Sequence, residues 1–117
     1  MNGIFKEHFY ERKEYVKKQF SVDSDLYCML LEWRKVYKAD LSDLVNVCIE
    51  ALNKGRPLTM YKRPENIQTV IHTFYITKEN LYALEQMRAS YGIRMSLLVN
   101  IAIAYLCKPD AGTDASI

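Results

Sequence analysis

The chain has 117 residues, half of them hydrophobic, with four glycines and three prolines. That composition excludes a disordered or fibrous chain and sets the size of one compact domain, or two very small ones. A formal charge of +2 permits nucleic-acid binding without arguing for it, and each half of the chain carries a single-charge basic excess.

The first 14 residues, MNGIFKEHFYERKE, carry charges where a secretory signal needs an apolar core, so no cleavable leader is expected. Arg12 and Lys13, with Lys17 and Lys18 just beyond, form a basic cluster and a candidate arm along a phosphate backbone. Glu7, Glu11 and Glu14 dilute it, and a short solvated helix suits the same residues equally well. Residues 15–22, YVKKQFSV, then alternate: Phe20 and Val22 fall on one face, Lys17, Gln19 and Ser21 on the other. Period two predicts a short strand. Asp23 or Ser24 caps a helix at about 24–38, with apolar positions at Leu26 or Tyr27, Leu30, Trp33 and Tyr37. Lys38-Ala39-Asp40 interrupts it, and a second helix spans 41–54.

A linker, 55–66, leads to VIHTFYI (70–76), again alternating: Phe74 and Ile76 face one way, Ile71, Thr73 and Tyr75 the other. Thr77 caps a helix over 78–91 with Leu81, Leu84, Met87 and Tyr91 on its apolar stripe. Gly92 suits the left-handed residue that ends such a helix. The last helix, 95–107, is apolar nearly all round, so it is either central to the core or offers a face to another subunit. Its longest apolar run, Leu97–Leu106, is broken by Asn100 and is about half a membrane span. The tail KPDAGTDASI reads as a disordered end.

Cys28, Cys48 and Cys107 are odd in number and lack a CxxC spacing, which predicts reduced thiols in a cytoplasmic protein, with Cys28 and Cys48 as small core residues. His8 has no evident partner, and His72 lies on the inward face beside Phe74 as a core or rim histidine. No phosphate loop, metal spacing or nucleophile motif is present, so neither enzyme activity nor a cofactor or metal is expected.

The two halves are copies. At an offset of 54, Phe20–Leu52 aligns without a gap on Phe74–Leu106, and ten of 33 pairs are identical, against roughly two by chance. LSDLVNVCIEAL and MSLLVNIAIAYL are the most alike. A strand-helix-helix unit of about 40 residues cannot close a core alone. Pairing two units, with a two-stranded antiparallel ribbon over four helices, is the expected remedy. An extended linker of about 13 residues reaches roughly 40 Å, enough to cross such a domain.

This pattern resembles the ribbon-helix-helix (Arc/MetJ-type) superfamily over about residues 15–107. FYITKENLYALEQMRASYGIRMSLLVNIAIAYL follows its strand, acidic helix start, Leu-x-x-Leu core, Gly-Ile-x-x-Ser-x-Leu turn and apolar second helix. FSVDSDLYCMLLEWRKVYKADLSDLVNVCIEAL departs by placing Lys38 where the turn glycine belongs. The resemblance implies a mainly α fold with a two-stranded ribbon, an α+β small domain: a 1–14 arm, copy 1 at 15–54, the 55–66 linker, copy 2 at 67–107 and a 108–117 tail, closed as an intramolecular pseudo-dimer. Tandem members of this kind include TraY-like proteins and the accessory proteins of T-DNA processing, both of conjugative DNA transfer.

The resemblance also implies a function. The ribbon would enter the major groove of double-stranded DNA, with Lys17, Gln19, Ser21, Thr73 and Tyr75 at the base edges and Ile71 at the strand's edge. Lysine donates to guanine and glutamine pairs with adenine. Phosphates would meet the start of each second helix, at the amides of Leu41 and Ser42 and of Met95 and Ser96, with both hydroxyls assisting and Arg94 adding a cation. Asp40 and Asp43 oppose this in copy 1. Plain solvated-face and helix-start chemistry explains the same residues without DNA. Rival readings are a scaffold that recruits a relaxase or acts as an antitoxin, and a transcriptional repressor.

Overall fold

A computed structural model describes residues 14–55 and 62–107; Arg12 and Lys13, His8, residues 56–61 of the linker and the 108–117 tail lie outside the described residues. Six elements follow one another: β1 (Tyr15–Asp23), α1 (Ser24–Tyr37), α2 (Leu41–Lys54), β2 (Thr69–Thr77), α3 (Lys78–Tyr91) and α4 (Met95–Cys107). The helix bounds match the sequence reading to within a residue, and each strand is slightly longer.

β1 and β2 pair antiparallel along their whole length, with Gln19 opposite Thr73 at the middle and Tyr15 opposite Thr77 at one end. Phe20, Val22, Phe74 and Ile76 point inward and are buried, and the alternate positions point out. The ribbon thus buries one apolar face against the helices, as its period-two pattern requires. α4 packs on β1, α2 packs on β2, and α2 and α4 pack on each other. Each second helix therefore braces the strand of the other half. The first amides of α1 and α3 are satisfied across the halves too: Ser24 donates to the Gln68 carbonyl (2.8 Å) and Lys78 to that of Glu14 (2.9 Å). The result is one small α+β domain of two antiparallel strands and four helices.

α4 takes the central position. Leu98, Val99, Ile101, Ala102 and Ile103 are all at most 2% exposed, so the core of this one chain takes up most of its apolar surface. Among the described residues no single helix is long and apolar enough to cross a membrane.

Three expectations fail at the outer helices. Tyr37 and Tyr91 continue the apolar stripes of α1 and α3 but are 66% and 51% exposed, because the last turn of each helix outruns the core. Tyrosine tolerates this, since its hydroxyl remains hydrated. Cys28 is exposed, not core; Cys48 is buried as expected. Leu26 and Leu30 fix the inward face of α1, and a residue midway between them on a 3.6-residue period points away from it.

The two breaks differ in sequence and agree in shape. Lys38 sits at φ 51°, ψ 46°, and Gly92 at φ 67°, ψ 33°. Lys38 thus adopts the left-handed conformation that glycine takes in copy 2, at a backbone cost that glycine avoids.

Candidate nucleic-acid interface

The outward face of the ribbon is a row of three cross-strand pairs: Lys17 with Tyr75, Gln19 with Thr73, and Ser21 with Ile71. All are exposed except Ser21, which is half-buried. Every second residue along a strand is about 6.8 Å from the last, so the row covers about 14 Å, close to the rise of four base pairs at 3.4 Å each.

What holds these pairs in place is a clamp on both free edges of the ribbon. On the β1 edge, the Ser21 amide donates to Ser96 Oγ (3.1 Å), the Asp23 amide donates to Asn100 Oδ1 (2.8 Å), and the Ser21 carbonyl accepts from Asn100 Nδ2 (2.9 Å). On the β2 edge, the Tyr75 amide donates to Ser42 Oγ (2.9 Å), the Thr77 amide to Asn46 Oδ1 (3.1 Å), and the Tyr75 carbonyl accepts from Asn46 Nδ2 (2.9 Å). Each asparagine also donates to the carbonyl one turn back, at Ser96 or Ser42. These are the same bonds at an offset of 54. Two strands alone would leave both edges open to further pairing. Here the helices close them with side chains, and no buried side-chain polar atom among the described residues lacks a partner.

Ser42 and Ser96 therefore have a task the sequence reading did not assign. Their oxygens accept strand amides, which leaves the hydroxyl proton as the group able to meet a phosphate. Asn46 and Asn100 were visible only as an identical pair. The signal was there: a polar residue retained at the same interior position of two apolar helices needs buried partners.

Copy 2 extends its clamp. Thr77 Oγ1 accepts the Asn80 amide (3.1 Å) as an N-cap, and Asn80 Nδ2 donates to Asn46 Oδ1 (2.8 Å). In copy 1 the corresponding residues are Asp23 and Leu26, and Asp23 Oδ1 instead accepts from Arg63 Nε at 3.0 Å. Asp23 is buried and Arg63 is partly exposed, so this ion pair pins the end of the linker to the start of α1. His72 lies at the rim as expected: its ring is tilted against those of Phe74 and Tyr27, with centroids 4.8 Å and 5.6 Å away, and its Nδ1 is 3.5 Å from the Tyr27 hydroxyl.

No family model, curated protein or solved structure matches the chain. The reading of this surface therefore stands on its geometry and charge.

Two clefts flank the ribbon, one where each strand meets the start of a second helix. The first, of about 420 Å³, has Gln19, Ser21, Thr69, Met95, Ser96 and three cations, Lys18, Arg63 and Arg94, in its wall. The second, of about 540 Å³, is lined by Tyr15, Arg34, Asp40, Leu41, Ser42, Asp43, His72, Thr73 and Tyr75. These are the same place in the two copies, since Lys18, Arg94 and Leu97 become His72, Asp40 and Asp43. Lys18, grouped from sequence with the basic arm, lines the basic cleft together with Arg94. Asp40 caps α2 through its position alone, with no side-chain hydrogen bond to the helix. Among the described residues no group of three or more His, Cys, Asp or Glu side chains is placed to hold a metal.

Proposed function

We propose that this chain is a sequence-specific double-stranded DNA-binding protein of ribbon-helix-helix type. Its two copies form an intramolecular pseudo-dimer, and the β1–β2 ribbon enters the major groove. The observation that carries this reading is the outward face of the ribbon. It is a rigid, edge-clamped row of Lys17, Gln19, Ser21, Thr73 and Tyr75 that no described element covers, flanked by a cleft bearing Lys18, Arg63 and Arg94. A two-stranded ribbon fits a groove about 12 Å wide, and these side chains carry donors and acceptors for base edges. The backbone of the bound duplex meets the Leu41–Ser42 and Arg94–Met95–Ser96 segments.

Lys-Gln-Ser stands beside Ile-Thr-Tyr in this ribbon, so the target is asymmetric and one molecule marks a direction on DNA. That property suits an accessory factor of conjugative or T-DNA-type transfer, acting in the cytoplasm beside a relaxase, and equally a transcriptional regulator. The protein is not an enzyme in this reading and needs no cofactor.

One observation favours the alternative, a protein-interaction scaffold. An apolar groove of about 520 Å³ lies between Trp33, Tyr37, Ala39, Leu44, Val47, Cys48 and Leu106, and Val47 is 55% exposed. Fluorescence anisotropy on duplexes tiled across the gene's neighbourhood, at two salt concentrations, separates the readings. One duplex bound well above the rest, with affinity falling steeply as salt rises, supports DNA recognition. Weak and uniform binding to all of them refutes it and leaves the scaffold.

A further inference from the structure

The register and the two clefts together place unlike chemistry at the two ends of one ribbon. Gln19 and Thr73 lie opposite each other at its middle. Toward one end come Ser21 and Ile71, then Asp23 and Thr69; toward the other come Lys17 and Tyr75, then Tyr15 and Thr77. The basic cleft shares Ser21 and Thr69 with the first end. The acid-bearing cleft shares Tyr75 and Tyr15 with the second. Two of the basic cleft's cations, Arg63 and Arg94, thus lie toward the end opposite the one cationic base reader, Lys17; the third, Lys18, is the neighbour of Lys17 in β1 and pairs with Phe74.

We infer that the ends of the ribbon divide the work of recognition: the Ser21–Ile71 end anchors DNA through phosphates, and the Lys17–Tyr75 end specifies its bases. This rests on the DNA-binding reading above. At the anchoring end Arg63 and Arg94 share a cleft wall without a carboxylate, although Arg63 already spends its Nε on Asp23, and Lys18 lines the same cleft from nearer the middle of the ribbon. The side chains facing the bases there discriminate weakly. Ser21 is half-buried and its hydroxyl can either donate or accept, and Ile71, 65% exposed, offers only apolar contact to a thymine methyl. At the other end Asp40 and Asp43 repel phosphate, and among the described residues of that cleft wall Arg34 is the single lysine or arginine. Lys17 there donates to guanine O6 and N7, the commonest specific contact, and Tyr75 beside it has both a ring and a hydroxyl. Gln19, in the middle, suits adenine. Phosphate contacts position and base contacts specify, and this chain separates the two in space.

The test is selection of the preferred duplex from random DNA, followed by single-base-pair scanning and phosphate ethylation interference with the full chain. Lys17→Met and Arg94→Gln are the variants, both at exposed positions. The inference expects an asymmetric site with ethylation interference at one end. Lys17→Met then flattens base preference by about tenfold at the other end only. Arg94→Gln weakens every duplex by one common factor and lowers the salt slope by about one, with the preferred sequence unchanged. A palindromic site, interference equal at both ends, or a uniform loss from Lys17→Met refutes the division of labour while leaving DNA recognition standing. Binding of no duplex above background overturns both.

Discussion

Asn46 and Asn100 are the same residue at the same place in two copies, yet the structure predicts that losing them costs different amounts. Asn46→Ala removes four hydrogen bonds, to Ser42 O, Tyr75 O, Thr77 N and Asn80 Nδ2. Two of the groups left behind are donors on residues only 4% exposed, Thr77 and Asn80, and Asn80 Nδ2 keeps a single longer contact, 3.3 Å, to the Asn46 carbonyl. A stranded buried donor costs about 1–3 kcal/mol, and the two costs do not add fully. The expected loss is about 3–5 kcal/mol, out of a total of roughly 5–15 kcal/mol for a domain of this size. Asn100→Ala removes three bonds and strands one buried donor, the Asp23 amide; Leu26 stands where Asn80 would be. Its expected loss is about 2 kcal/mol. Urea unfolding of both variants with unchanged m-values reads the difference directly. In thermal unfolding, at about 4 °C per kcal/mol for a domain near 100 residues, Asn46→Ala should melt well below Asn100→Ala. Losses equal within about 0.5 kcal/mol would show that the Asn80 branch contributes nothing, and losses below about 1 kcal/mol for both would refute the edge clamp itself.

The turns give a second pair. Lys38→Gly should stabilise by about 0.5–1 kcal/mol by relieving a left-handed lysine, and Gly92→Ala should destabilise by about 1 kcal/mol, both read from urea midpoints. A Cβ on Gly92 meets nothing within 4 Å, so that cost is purely backbone. Asp40→Arg, in a cleft whose copy-2 counterpart carries Arg94, should raise duplex affinity and steepen its salt slope by about one, with little change in stability because the Asp40 side chain makes no cap bond; unchanged anisotropy would count against the cleft as a backbone site. Glu14 accepts from Lys78 Nζ at 2.7 Å, and that hydrogen bond, with the lysine charge, holds its carboxyl below the usual glutamate range. The contact therefore contributes above that range and fades as pH falls through the lowered value; Lys78→Met should return the Glu14 titration, followed by NMR, to the ordinary range.

Much of this fold is legible in the sequence because its signals are local. The change from period two at 15–22 and 70–76 to period 3.6 afterwards marks every element, and the 54-residue offset aligns the copies. The outward ribbon residues follow from parity alone. Other features were not legible because they depend on where an element ends in space. The stripe through Tyr37 and Tyr91 has the right period but runs past the core. Lys38 looks like a departure from the turn pattern, and only its dihedral angles show that it keeps the turn's shape. Ser42 and Ser96 sit at helix starts, where sequence suggests caps or anion contacts; their strand partners are 33 and 75 residues away. Arg63 lies in a linker with no periodicity, so nothing local ties it to Asp23.

The distribution of identities between the copies separates what the fold needs from what the surface does. Of the ten identical pairs, eight are core or clamp: Phe20/Phe74, Leu30/Leu84, Ser42/Ser96, Leu44/Leu98, Val45/Val99, Asn46/Asn100, Ile49/Ile103 and Leu52/Leu106. Nothing in the structure explains why Arg34/Arg88 and Tyr37/Tyr91 also match. At the outward ribbon positions every pair differs, Lys17/Ile71, Gln19/Thr73 and Ser21/Tyr75, and so do the cleft pairs Lys18/His72, Asp40/Arg94 and Asp43/Leu97. A duplication serving only to close a core leaves such positions free to hold any soluble residue, and an exposed Ile71 and Tyr75 are poor choices for that purpose. They suit a surface meant to be covered. Because the serine and asparagine bonds to the strand edges are the same in both halves, the two strand edges are held alike, and the differences between the outward faces act on whatever the ribbon meets, not on the ribbon itself.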